Sequence, residues 1–178
     1  MHATICDCFA DTVQNAIEAG ASRIEASLAE NGVTVKVVIR DNGKGMDEDT
    51  LRRVWDPFYS EAGKHDKRRV GLGLPLLRQM VEAAGGSLSL ESKRGSGTTL
   101  SYSFDAKHLD TPPLGDLPGT LLTLMNYDGN FELCFSRERA DKSYTICRSE
   151  LQEALGDLCD ASNLVLARDF LRDQGSDL

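Results

Sequence analysis

The chain has 178 residues, 40% of them hydrophobic and 27% charged, with a formal net charge of −8. That composition suits a soluble protein of one ordinary domain, or of a domain of about 100 residues with a smaller appendage. It excludes a membrane span, for which no apolar run is long enough, and an acidic balance argues against general nucleic-acid binding, which needs a basic footprint.

Residues 4 to 20 read as a helix. Thr4 and Asp7 have the spacing of a capping box, Phe9, Val13, Ala16 and Ile17 recur on one face, and Gly20 ends the run. Asp11, Asn15 and Glu18 line another face of the same helix, about one turn apart. "RIEASLAE" alternates Ile24, Ala26 and Leu28 and reads as a strand. Asn31-Gly32 then turns the chain into a second strand, "VTVKVVIR", that ends at Asp41. A helix begins near Asp47 and runs to about Trp55, where "DPF" breaks it. Residues 59 to 70 are polar and aperiodic and carry Lys64, Lys67, Arg68 and Arg69; this is a loop of lid length.

"GLGLPLLRQMVEAAGG" follows. Pro75 suits a first helical turn, Leu76, Leu77, Met80, Val81 and Ala84 form the buried stripe, and Gly85-Gly86 stops it. "SLSLES" and "TTLSYSF" are alternating strands joined by "KRGSG". The order helix, hairpin, helix, loop, helix, hairpin over residues 1–107 predicts a two-layer α/β sandwich. Residues 108–120 are rich in Pro, Gly and Asp and read as a linker. In 121–178, "LLTLMN", "FELCFSR" and "KSYTICR" look like strands, while "SELQEALGDL", capped by Ser149, and "NLVLARDFLRD" look like helices. This small α+β extension is too short to stand alone and is expected to pack on the sandwich.

Five cysteines, with no export signal visible, point to free thiols in a reducing cytoplasm. Cys6-x-Cys8 finds no second pair to complete a metal site, so these read as small buried hydrophobes.

Three glycine-bearing stretches invite chemistry. "DNGKGM" places Asp41 where a strand runs out into a loop; Asn-Gly is also a common turn pair. A carboxylate there can accept a hydrogen bond from an exocyclic amine such as that of adenine. Gly71-Leu-Gly73 leads into a helix N-terminus, which attracts phosphate through unpaired N–H groups and the helix dipole. The bases before it could fold over those phosphates. Asn15 can offer its side-chain oxygen to Mg²⁺. "GLGLPL" is neither a dinucleotide-binding G-x-G-x-x-G after a strand nor part of a P-loop.

"QNAIEAGAS", "DNGKGM", "DPFYS", "GLGLPLL" and "GSGTT" stand in an order that resembles the N box, first glycine box, F box, second glycine box and final Gly-Thr motif of the histidine-kinase, gyrase, Hsp90 and MutL ATPases. The resemblance spans about residues 5 to 106 and implies their Bergerat ATP-binding fold. It implies that Asn15 holds Mg²⁺, Asp41 binds the adenine amino group, and Gly43 and Gly45 let backbone pass the base and sugar. It implies lid and phosphate contacts from Gly71 and Gly73, a water-mediated adenine contact from Thr98, and a lid anchor in Phe58. Gyrase and MutL relatives place a catalytic glutamate four residues before the N-box Asn; here that position is Asp11, one methylene shorter. The whole length is also similar to small stand-alone bacterial ATP-binding proteins with "HLDTPPLGD"-like linkers.

Only about ten residues precede the N box, and none of His2, His65 and His108 lies on a helix with an acceptor-like surface. The expectation is an ATP- and Mg²⁺-dependent protein kinase acting in trans on a protein partner, similar to the anti-sigma serine kinases. The alternatives are a nucleotide-gated binding module and a slow ATPase with Asp11 as base.

Overall fold

The computed structural model describes residues 3–56, 73–156, 158 and 160–176. Helix α1, Ile5–Glu18, opens on the capping box: the Asp7 amide donates to Thr4 Oγ1 at 3.1 Å and the Thr4 amide to Asp7 Oδ2 at 2.9 Å. Its apolar face buries Ile5, Cys6, Cys8, Phe9, Val13 and Ala16. Gly20, at φ +74°, turns the chain out of the helix. β1 (Arg23–Glu30) and β2 (Thr34–Asp41) form the first hairpin, whose turn is held by Asn31 Oδ1 accepting from the Val33 and Thr34 amides. α2 is short, Glu48–Arg53, and is capped by Asp47, which accepts from the Thr50 amide at 2.9 Å.

α3 (Gly73–Ala83) carries Pro75 in its first turn and buries Pro75, Leu77 and Val81. It leads to the hairpin of β3 (Ser87–Lys93) and β4 (Gly97–Asp105). Then come α4 (Leu117–Met125), β5 (Glu132–Arg139), β6 (Lys142–Cys147), α5 (Arg148–Leu155) and α6 (Ala161–Ser176).

One six-stranded sheet contains every described strand, in the order β3-β4-β2-β1-β5-β6. All pairs are antiparallel except β1 with β5, which run parallel over Arg23↔Glu132 to Glu30↔Arg139. Apolar side chains alternate to one face: Ile24, Ala26 and Leu28, then Val37 and Ile39, Leu100, Tyr102 and Phe104, Leu133 and Phe135. The helices cover that face, as the two-layer reading requires. Residues 121–176 therefore do not form a separate layer. They lengthen the same sheet by two strands and share its core, where the Phe9 and Phe135 rings meet edge-on at 5.6 Å between centroids. A partly buried ion pair adds to this seam: Arg137, 8% exposed, donates to Glu30 Oε2 from Nε at 3.1 Å and from Nη2 at 2.7 Å.

Four expectations need correction. "LLTLMN" is helical, not a strand. The Asp116 side chain accepts from the Gly119 amide and Pro118 fits the first turn, so a helix is nucleated inside the stretch read as linker. A short apolar run fits either structure, and the cap decides it. Ser149 does not cap α5. The residue before that helix is Cys147, whose amide donates to Glu150 Oε2 at 3.2 Å, while the Ser149 amide donates to Glu132. The helix read to Trp55 ends at Arg53. Finally, Cys134 and Cys147 are not free thiols but are joined in a disulfide, because the β5–β6 register sets them directly opposite. Cys6 and Cys8 are the expected buried thiols; burial pushes them up to about 11 and about 12. No described helix is long and apolar enough to cross a membrane.

Candidate functional site

The site is built at the end of the sheet where β2 finishes. Asp41 faces Thr98 across the β2–β4 ladder and Ile24 across β1–β2. Its side chain therefore lies on the helix-covered face, beyond the last buried residues, Ile39 and Leu100. There it is half-buried. Oδ1 accepts from the Gly43 amide at 2.8 Å. Burial raises the Asp41 carboxyl above its ordinary value, against the lowering effect of hydrogen bonds from the Gly43 and Thr98 amides.

The loop after Asp41 is fixed from three sides. The Asn42 side chain accepts at 2.9 Å from both the Ser22 and Arg23 amides and donates to Ser22 Oγ at 2.9 Å. The Lys44 amide donates to the Ala19 carbonyl at 3.0 Å, and the Gly95 amide to the Lys44 carbonyl at 2.7 Å. The Met46 amide donates to Ser92 Oγ, which lies 2.9 Å from Thr98 Oγ1 and donates to the Gly97 carbonyl at 3.0 Å. The loop thus links the C-terminal end of α1 to the β3–β4 turn.

Its glycines are dictated by these approaches. A Cβ on Gly43 would press on Ala19 and on the Asp41 carboxylate at 3.0 Å. Gly45, at φ +62°, lies against the Lys93 carbonyl, and Gly97, at φ +92°, lies against the Asp41 carbonyl.

The other end of the site is the start of α3. Gly73 packs on the Asp11 carboxylate so closely that a Cβ would collide with Oδ2. Asp11, Asn15 and Ala19 succeed one another at four-residue spacing along α1. One end of this strip touches Gly73 and the other touches Gly43, and about 12 Å separates them along the axis. Asn15 stands exposed between the two. A cavity of about 520 Å³ lies at the Asp41 end of the sheet but mainly on its other face, since Arg23, Glu25, Arg40, Glu91, Lys93 and Thr99 in its lining alternate away from the helices, and only Asp41, Ser92 and Thr98 border it from the helix-covered side.

The structure thus gathers Asp41, Gly43, Gly45 and Thr98 at one end and Asp11 and Gly73 at the other. Phe58, Lys67, Arg68, Arg69 and Gly71 lie outside the described residues, as does the rest of the lid-length loop. Sequence reading assigned no role to Asn42, Ser92 or Gly97. Asn42 stands inside "DNGKGM" and Gly97 inside "GSGTT", whereas Ser92 matters only through a register that no local pattern reveals.

Residues 3–108 match the family model described as histidine kinase-, DNA gyrase B- and HSP90-like ATPase. Among curated relatives, the heme sensor protein HssS of Staphylococcus saprophyticus is 30% identical over 98 residues, which is 54% of this chain and 21% of that protein. The sensor histidine kinase ZraS of Escherichia coli is 32% identical over 89 residues, 49% of this chain and 18% of that one. The sensor protein KdpD of Clostridium acetobutylicum is 36% identical over 83 residues, 46% of this chain and 9% of that one. The match thus spans about a fifth or less of these three relatives. A crystal structure of the N-terminal domain of a DNA repair protein is similar with a TM-score of 0.55 at 14% identity, covering 90% of this chain and 58% of that one; it supports the fold alone.

Proposed function

The chain belongs to the histidine kinase-, DNA gyrase B- and HSP90-like ATPase family, and from that premise we propose that it binds Mg²⁺-ATP and passes the terminal phosphoryl group to an acceptor on a partner protein. The supporting observation is the Asp11–Asn15–Ala19 strip, which joins a half-buried carboxylate at one end to a helix start at the other, over about the length of a nucleotide.

In this reading Asp41 accepts a hydrogen bond from the adenine amino group. The Gly43 amide already orients its carboxylate, and Thr98 supports the same edge. Gly43 and Gly45 keep the loop low enough for base and sugar to pass. Asn15 presents its side-chain oxygen to Mg²⁺, a hard cation that also takes phosphate oxygens. Gly73 meets the phosphates at the N-terminal turn of α3. Mg²⁺ supplies neutralisation of phosphate charge; the protein supplies position.

The assignment of the acceptor to a partner is supported by His108, the one histidine among the described residues. It sits in the turn after β4, its Nδ1 accepting from the Asp110 amide at 3.2 Å, and not on a helix. Trans action on a protein is the reading closest to the anti-sigma kinases. Asp11 favours a second reading. Its carboxylate lies at the α3 N-terminus and could activate water for slow hydrolysis.

ATP labelled on its terminal phosphate, incubated with Mg²⁺ alone and then with lysate, tests both. Label on a second protein supports transfer. Labelled inorganic phosphate from the chain alone supports hydrolysis. Tight ATP binding with neither product overturns both and leaves a nucleotide-gated binding module.

A further inference from the structure

The Cys134–Cys147 disulfide is remote in role from the nucleotide cleft. It lies on the sheet face opposite the helices, because the neighbours Leu133, Phe135 and Ile146 all point into the core. Both cysteines are half-buried, unlike the core thiols Cys6 and Cys8. Glu132 shares that face, two residues before Cys134. One of its carboxylate oxygens and the two sulfurs lie within 4.8 Å of one another, the only such trio among the described residues. Glu132 is also oriented, since its Oε1 accepts from the Ser149 amide at 3.1 Å.

The crosslink is not the only thing that holds this hairpin. The strands are already zipped from Cys134↔Cys147 to Arg139↔Lys142. The open end is fastened by Arg148, which donates to the carbonyls of Met125 at 2.7 Å and Phe131 at 2.8 Å and covers the Phe131 ring at 4.3 Å. Two sulfurs and a carboxylate converging on one face have a second use.

We propose that Cys134, Cys147 and Glu132 form a site for a thiophilic divalent cation such as Zn²⁺, and that the disulfide is its oxidised, closed form. Reduction breaks the S–S bond. A dithiol reductant supplies two electrons and two protons, which yield the two cysteine thiols, and leaves as its own disulfide. Cation binding then displaces both thiol protons and forms two metal–sulfur bonds and one metal–oxygen bond, with water as fourth ligand. Tetrahedral Zn–S bonds of about 2.3 Å place the sulfurs about 3.8 Å apart, within reach of rotation about Cα–Cβ. The two α-carbons stand 4.1 Å apart. The site would couple oxidation state to cation occupancy at the root of α5.

Co²⁺ is the test ion, added to the full chain before and after mild dithiol treatment. Thiol counting should rise by two on reduction. The reduced chain should bind one Co²⁺ with a thiolate charge-transfer band that Zn²⁺ abolishes, and the oxidised chain none. Glu132→Gln should weaken Co²⁺ at least tenfold while the disulfide still forms. The oxidised wild type is a control that needs no substitution. A reduced chain without the band, a band that survives Cys134→Ser/Cys147→Ser, an unchanged thiol count, or unchanged affinity in Glu132→Gln each overturns the three-ligand site.

Discussion

The Asp11 carboxylate lies against the α-carbon of Gly73, so that a methyl group there would strike Oδ2. This contact joins α1 to the first turn of α3, and it defines what Gly73→Ala should do. The obstruction is the tip of a short side chain and not backbone, so Asp11 rotates away and the fold is kept. Alanine in place of glycine even favours the helix, by up to about 1 kcal/mol. Any loss should therefore appear in ATP-dependent activity, through displacement of Asp11, at roughly fivefold for a coupling of about 1 kcal/mol. In an Asp11→Ala background the same substitution should do nothing further. Equal losses in both backgrounds would remove the contact from the mechanism.

Asp41→Asn should weaken ATP binding about ten- to a hundredfold, the loss expected of one charge-assisted hydrogen bond at roughly 1.5–3 kcal/mol. The free protein should respond in the opposite sense. Burial raises the folded-state pKa of Asp41, so its charged form is disfavoured on folding. The native chain binds that proton more tightly than the unfolded one, and its contribution to stability is lost as pH rises through the folded pKa. The amide of the variant carries no charge, and its oxygen can still accept from the Gly43 amide. Asp41→Asn should thus be slightly the more stable at neutral pH, and its advantage should fade in acid. Denaturation across pH checks this, with calorimetry for ATP; unchanged affinity would return Asp41 to the role of a turn residue.

Asn42 is predicted to matter without touching nucleotide. Its side chain makes three hydrogen bonds to Ser22 and Arg23, at 2.9 Å each, and so fixes the loop that carries Asp41 and Gly43. Asn42→Ala should cost about 1–2 kcal/mol of stability and lower ATP affinity as well. Asn42→Asp keeps the acceptor for both amides and should recover most of the affinity. An alanine variant with full ATP affinity shows that the loop holds its shape without the clamp.

Among the described residues, the elements of the first hundred were legible because their signals are local. Thr4 and Asp7, Asn31-Gly32, Pro75 and the alternation around Val37 and Ile39 each act within a few residues, and "DNGKGM" marks its own loop. The tail was less so. "LLTLMN" is apolar enough for strand or helix, and the deciding residue, Asp116, lay in a stretch dominated by linker-like Pro and Gly. Cys134 and Cys147 are paired by strand register, which spacing alone does not encode. The parallel β1–β5 ladder joins residues over 100 apart in sequence and leaves no local trace, so the union of tail and sandwich was visible only as an expectation of packing.

That ladder leads to the last prediction. An autonomous unit at residues 1–107 beside a separate segment at 121–178 would unfold in two steps. We expect one. β5 pairs with β1 along its whole length, so removing the tail exposes an eight-residue strand edge and the core under Ile24 and Leu28. Phe135 is fully buried and meets Phe9 of α1. Phe135→Ala should cost about 3–5 kcal/mol, or roughly 10 °C in Tm for a chain of this size. The single tryptophan, Trp55, lies just beyond α2, in the first half of the chain, whereas far-UV ellipticity reports every helix and strand. Both signals should melt together, and Phe135→Ala should lower both by the same amount. If the Trp55 transition stays in place while part of the ellipticity melts earlier, residues 1–107 fold without the tail and the shared sheet is not what stabilises the nucleotide end.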